Sequence, residues 1–310
     1  MQKDIRKLRM RFVIVVMLIV TIVMGCIFGV ICNLLANTIS NAFIDPYTKL
    51  VMIKRVRVNA TLICVAGISV FTIIAAIASK WIVKPVETSW KEQKQFVNDA
   101  SHELKTPLTV ITTNAEMLQQ VPINEEDRIK YSNNIVTVSH QMKNLVEDLL
   151  NLARIEKGEE AGFERINLSE EYYQDILQFE PVMYELGLTL KDNIAKDIFV
   201  VGSSQRLNQL LTILLDNAGK YSKRGDVTVD MNVQGKNVVL KVSNPTDPIS
   251  QDELKNIFKR FYRQDSSHNA KGSFGLGLSI AQSICEAHGG KIKAEYENGQ
   301  ISFIVNLPVA

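Results

Sequence analysis

Apolar residues change their spacing along this chain, and each change predicts a different element. The stretch 12–35 carries no charged residue and only Thr21 and Asn33 as clearly polar ones; 60–79 is a second uncharged stretch. A helix rising about 1.5 Å per residue crosses a ~30 Å hydrocarbon core, so both stretches are long enough to span a membrane. The first is too long for the apolar part of a signal peptide, and no small-residue cleavage pattern follows it. Beyond Lys80 the chain turns polar, and Pro85 predicts a kink or interruption in the helix leaving the membrane.

Phe96, Ala100, Leu104, Leu108, Ile111, Ala115 and Leu118 then recur at helical steps, one stripe of an amphipathic helix. Val121-Pro122-Ile123-Asn124 breaks it, with Asn124 or the acidic pair after it able to cap the next helix. Ile135, Val138, Met142, Leu145, Leu149, Leu152 and Ile155 repeat the spacing. Two such stripes joined by a short turn predict an antiparallel hairpin. One hairpin cannot cover both stripes, so two chains are expected to pack as a homodimeric four-helix bundle. Farther on, 226–233 and 237–242, separated by Gln234-Gly235-Lys236, predict a β-hairpin, and 300–307 a closing strand.

Composition adds limits. The 310 residues are enough for about two domains. The apolar share is 46%, and its excess lies ahead of Lys80. Lys plus Arg (35) against Asp plus Glu (33) leaves +2, which gives no reason to expect a nucleic-acid partner. Cys26, Cys32 and Cys64 lie in apolar stretches and Cys285 stands alone, so neither a disulfide framework nor a cysteine metal site is expected. Lys3, Arg6, Lys7, Arg9 and Arg11 favour a cytoplasmic N-terminus, although Lys49, Lys54, Arg55 and Arg57 dilute the asymmetry. Two crossings leave both ends on one side, and the segment between them is too short to bury a core.

The chemistry starts at His102-Glu103-Leu104-Lys105-Thr106-Pro107. His102 lies about 200° around the helix from both Ala100 and Leu104, so it points away from the stripe. An exposed neutral imidazole is a good nucleophile near neutral pH, and an adjacent carboxylate can hold its other nitrogen.

Phe96 to Leu108 as a whole resembles the H-box of bacterial sensor histidine kinases. Leu214-Leu215-Asp216-Asn217-Ala218-Gly219-Lys220-Tyr221-Ser222 resembles their N-box, Ile257-Phe258-Lys259-Arg260-Phe261-Tyr262-Arg263 their F-box, and Gly272-Ser273-Phe274-Gly275-Leu276-Gly277-Leu278 their second glycine box. Four motifs in family order make the resemblance specific. It implies a dimerisation and phosphoacceptor hairpin (95–158), then an α/β-sandwich ATP-binding domain (159–310) of the type shared with chaperone and topoisomerase ATPases. Ahead of these come the cytoplasmic N-terminus (1–11), transmembrane helices (12–35 and 60–79), a short extracellular loop (36–59) and a juxtamembrane linker (80–94).

The resemblance implies ATP and Mg²⁺ as cofactors, His102 as phosphoacceptor, and transfer to an aspartate of a cognate response regulator. Glu103 is the expected base or orienting group. Thr106 matches the position that orients water for regulator dephosphorylation. A carboxamide at Asn217 suits Mg²⁺, Lys220 phosphate, and the Tyr221 ring the base. Gly272, Gly275, Leu276, Gly277 and Leu278 would offer backbone amides to phosphates at a helix N-terminus. Arg260 and Arg263 would either reach the phosphates from a polar lid at 264–271 or anchor that lid.

The chain departs from the family pattern where an aspartate and two glycines belong: Asn244, Thr246 and Pro248 replace them. Asn244 keeps an acceptor oxygen for the adenine amine; Asp247 is the alternative partner. Ile213 replaces the earlier N-box asparagine, and Ser273 a glycine. The competing expectation is a pseudokinase or membrane scaffold with a degenerate nucleotide site. No relay module fits between 79 and His102, so the stimulus is expected at the membrane, directly or through a membrane accessory or transporter protein. His140, His268 and His288 are expected at the surface or as caps.

Overall fold

In the computed structural model, residues 2–41, 45–120, 122–158, 162–263 and 274–310 are described. The chain divides into two compact units, 1–97 and 98–310.

The first unit is helical. α1 spans Gln2–Ser40, and α2 begins at Pro46 and runs to Leu118. Asp45 starts α2: its carboxylate accepts from the Tyr47 amide at 2.9 Å and the Thr48 amide at 3.2 Å. Proline in the first helical position needs no donor there, so the signal is a strong one. The segment 36–59, expected as a loop, is therefore helical up to Ser40 and again from Pro46. Stretches long and apolar enough to cross a membrane run over Leu18–Ile39 and Pro46–Ile74. The helix also continues through Pro85, where an interruption was expected: one missing backbone hydrogen bond is a local loss in an element of 73 residues. α1 and α2 meet at Met24, whose Cε lies 3.2 Å from where a Cβ on Gly67 would stand.

In the second unit, the end of α2 and α3 (Glu125–Glu156) form the hairpin. Asn124 is the cap of α3, its side chain accepting from the Asp127 amide at 2.7 Å. Asn134 Nδ2 donates to Asn114 Oδ1 across the hairpin at 3.3 Å. Leu145, Leu152 and Ile155 are buried, whereas Leu108, Val136 and Leu150 are left exposed.

The remainder is a sheet under a layer of helices. β1 (Glu164–Asn167) pairs with β3 (Phe199–Gly202). A five-stranded sheet has the order β2-β4-β5-β7-β6, formed by Leu188–Ile194, Gly225–Gln234, Asn237–Pro245, Gln300–Pro308 and Lys291–Glu297. β2 runs parallel to β4 and the other pairs are antiparallel. The expected β4–β5 hairpin and closing β7 are both present. Helices α4 (Leu168–Glu185), α5 (Ser204–Tyr221) and α7 (Gly277–Ala287) bury their apolar sides, and a short α6 (Gln251–Asn256) precedes the F-box. α5 buries Leu207, Leu210, Leu211, Leu214 and Leu215 completely, each worth about 1.5–3 kcal/mol. α7 packs beside α5 and touches α3.

Candidate active site

His102 stands on α2 with its side chain exposed, and its imidazole makes no hydrogen bond among the described residues. Thr106, one turn on, is exposed on the same side; its hydroxyl reaches the His102 carbonyl at 3.4 Å, too long to hold it firmly. Glu103 is half-buried and does not hold the imidazole. Successive helix residues diverge by about 100°, and the two side chains are not hydrogen-bonded here. Pro107 is buried, and the helix passes through it.

The nucleotide side is built around α5 and the start of α7. The leucine face fixes the rotation of α5, so Ile213, Asn217 and Lys220 share one edge of it. Ile213 Cγ2 lies 3.4 Å from where a Cβ on Gly277 would be, which directs that edge at the first turn of α7. Asn217 is half-buried and its carboxamide has no hydrogen bond among the described residues. Lys220 pairs with Asp216 at 2.5 Å. Tyr221 is partly exposed at the helix end.

α7 starts without a side-chain cap: Leu276 occupies the capping position, is itself buried, and gives no oxygen to the first amides. Gly277 and Leu278 open the helix. Gly275 precedes it with φ +71°, and a Cβ there would meet the Tyr262 carbonyl at 2.6 Å, so only glycine fits. Gly272 lies outside the described residues, as does the lid segment 264–271.

Asn244 ends the buried face of β5, after Val238, Leu240 and Val242. It is fully buried, and its Oδ1 has no hydrogen-bond partner. The neighbouring Pro245 carbonyl accepts from the Lys223 amide at 2.9 Å, which joins this strand end to the end of α5. Asp247 is corrected as a base partner: it is exposed and ion-paired with Lys223. Arg260 is also corrected: it pairs with Glu156 at the end of α3, tying the F-box to the hairpin. Arg263 is half-buried at the end of the F-box.

ATP and Mg²⁺ fit these residues. An orphaned buried acceptor at Asn244, free amides at the start of α7 and an unengaged carboxamide at Asn217 are the groups a base, a polyphosphate and a hydrated Mg²⁺ need. Among the described residues no cluster of His, Cys, Asp and Glu is suited to a metal, so the phosphates would supply most of the coordination.

Two features escaped the sequence. Asp148 on α3 has its carboxyl pushed up by burial and pulled down by Lys220, which puts the hairpin within electrostatic reach of the N-box. His288 is a buried cap, stacked on Phe163 with ring centroids 4.8 Å apart and accepting from the Ser203 amide at 3.1 Å. The cap was expected; its burial against Phe163 and its bond to the Ser203 amide were not, since they join residues remote in the chain.

Residues 92–158 match the His Kinase A (phospho-acceptor) domain, and 202–310 match the histidine kinase-, DNA gyrase B-, and HSP90-like ATPase domain. The chain is 40% identical over 254 residues to the sensor protein DltS of Streptococcus agalactiae (serotype III, strain NEM316), a match covering 80% of this chain and 63% of that protein. It thus spans less than two thirds of that relative. It is 33% identical to the sensor histidine kinase YkoH of Bacillus subtilis (strain 168), over 68% of this chain and 46% of that one. The structure of histidine kinase ThkA in complex with response regulator protein TrrA shares the fold at TM-score 0.57 and 21% identity, covering 73% of this chain and 66% of that one. With a phosphoacceptor hairpin and a nucleotide fold in this order, the chain belongs to the bacterial two-component sensor histidine kinases.

Proposed function

We propose that this protein phosphorylates His102 from ATP, passes the phosphoryl group to an aspartate of a response regulator, and dephosphorylates that regulator with the help of Thr106. The observation that carries the reading is the outward, unengaged imidazole of His102 with an exposed, loosely held hydroxyl one turn away. In the phosphorylation step a ring nitrogen forms a bond to the γ-phosphorus as the bond to the β–γ bridging oxygen breaks. The other ring nitrogen gives up its proton, with Glu103 as the nearest carboxylate in sequence. Bound with Mg²⁺, ATP supplies an electrophilic phosphorus whose developing charge the metal screens. Asn217 is assigned to the metal. Lys220 and the amides of Gly275, Leu276, Gly277 and Leu278 are assigned to the phosphates, together with Gly272 and Arg263. Asn244 is assigned to the base, with Tyr221 beside it.

The exposed Leu108, Val136 and Leu150 support a second copy as the partner of the hairpin. A response regulator is the acceptor by analogy with the ThkA complex. The two apolar helices support a membrane location with 95–310 cytoplasmic, and sensing at the membrane, alone or through an accessory protein.

The test is incubation of the full chain in lipid nanodiscs with γ-labelled ATP. Acid-labile, alkali-stable label on the wild type and none on His102→Gln is expected; label retained by that variant would discard the assignment. Mg-ATP binding without label would instead favour a scaffold role.

A further inference from the structure

Asn244 carries more than a contact to adenine. It is the one polar side chain on an otherwise apolar strand face, it is 0% exposed, and its Oδ1 is unpartnered. A buried acceptor without a partner is unfavourable, and the donor of a bound ligand is one way to satisfy it. The other half of the amide is almost as free. Nδ2 reaches only the Pro245 carbonyl, at 3.4 Å, and that oxygen already accepts from the Lys223 amide at 2.9 Å. A contact of that length is at the limit of a hydrogen bond and holds the amide loosely.

A carboxylate at this position would have acceptors only: it takes the 6-amino group of adenine and repels a 6-oxo group. A carboxamide has one acceptor and one donor end, exchanged by a half turn about its last side-chain bond. With Oδ1 forward, Asn244 accepts from a 6-aminopurine. With Nδ2 forward, it donates to a 6-oxopurine, at the cost of the long Pro245 contact and of turning Oδ1 toward that carbonyl. We infer that the base pocket of this protein takes 6-oxopurine nucleotides as well as adenine nucleotides, and that Asn244 sets this tolerance. The inference rests on the assignment of Asn244 to the base under the proposed function.

The experiment measures Mg²⁺-dependent binding of ADP and IDP to the full chain in nanodiscs. Inosine presents the 6-oxo group without guanine's 2-amino group; its N1 also carries a proton that adenine lacks, so the effect of Asn244→Asp on the ADP-to-IDP ratio isolates the part that belongs to Asn244. IDP is expected to bind within about tenfold of ADP, and Asn244→Asp to raise the preference for ADP over IDP about a hundredfold. Failure of IDP to displace ADP at a large excess, or an ADP-to-IDP ratio untouched by Asn244→Asp, overturns the inference. If that variant does not fold, purine riboside diphosphate, which lacks any 6-substituent, decides on the wild type. ADP and IDP must both bind about fivefold or more tightly than it, and equal binding overturns the inference. Binding of ADP without IDP sinks only this inference, whereas failure of every nucleotide to bind sinks it together with the nucleotide assignment beneath it.

Discussion

The Phe261 amide donates to the Gly275 carbonyl at 2.9 Å, and both residues have positive φ, +60° and +71°. This bond joins the end of the F-box to the residues that lead into α7. Phenylalanine is strained in that region of backbone space, whereas glycine is not. Strain of this kind persists where the surroundings impose it, and it gathers at sites of function.

Gly275→Ala tests this contact. Its Cβ would strike backbone, the Tyr262 carbonyl at 2.6 Å and the Phe261 carbonyl carbon at 2.9 Å, and backbone cannot swing aside. The variant should lose about 1–3 kcal/mol in thermal unfolding and bind ADP more weakly. An unchanged melting temperature would mean that this close backbone approach carries no stability.

Arg260 and Glu156 join the F-box to the last turn of α3, across 104 residues of sequence. Both are partly exposed, so the pair contributes about 0.2–1 kcal/mol. A tether of that size restrains the ATP-binding fold without locking it. Glu156→Gln should raise the initial rate of autophosphorylation about two- to fivefold at saturating ATP. A rate equal to the wild type would show that the pair has no restraining role.

His288 predicts a loss of stability on acidification. Its Nδ1 is 2.7 Å from the Ile284 carbonyl and must donate, so Nε2 must accept the Ser203 amide, and only the neutral ring does both. Burial holds its pKa below the ordinary imidazole value of 6.5; the Ile284 bond opposes this and the Arg206 charge adds to it. The unfolded chain therefore takes up the proton first. The stabilisation is complete above about 6.5 and is lost as pH falls toward the folded value. Asp148 and Asp175, whose carboxyls burial pushes up, act in the opposite direction, gaining stability as pH falls. The wild type should therefore lose more melting temperature between about pH 7.5 and 5.5 than His288→Gln does, measured in parallel. Equal pH profiles would refute the role of the ring.

Thr106→Ala should separate two activities. The hydroxyl is free of the chemistry at His102, so autophosphorylation should stay near the wild-type rate while regulator dephosphorylation slows about tenfold or more. Loss of both would mean that Thr106 supports the helix rather than the water.

What the sequence disclosed was local or periodic. The stripes placed His102 outward, the Asn124 cap and the β4–β5 hairpin were readable from a few adjacent residues, and the leucines of α5 set the edge that holds Asn217. What it concealed depended on distance or on competition between signals. Asp45-Pro46 marks a helix start, yet the uncharged stretch begins only at residue 60, beyond Lys49, Lys54, Arg55 and Arg57. The Arg260–Glu156 pair, the Asp247–Lys223 pair and the packing of His288 against Phe163 join residues remote in the chain, which no periodicity registers. β1 and β3 are four residues each, too short to alternate visibly.

The first turn of α7, begun by Leu276 without a capping oxygen, has a thermodynamic corollary. Its first amides have no capping side chain, and an anion seated there would satisfy them. Because that turn rests on Ile213 of α5, a polyphosphate that seats there tightens two helices at once. Nucleotide occupancy then registers as slower amide exchange along both, a change in stiffness that the rest of the molecule can feel before any phosphorus moves.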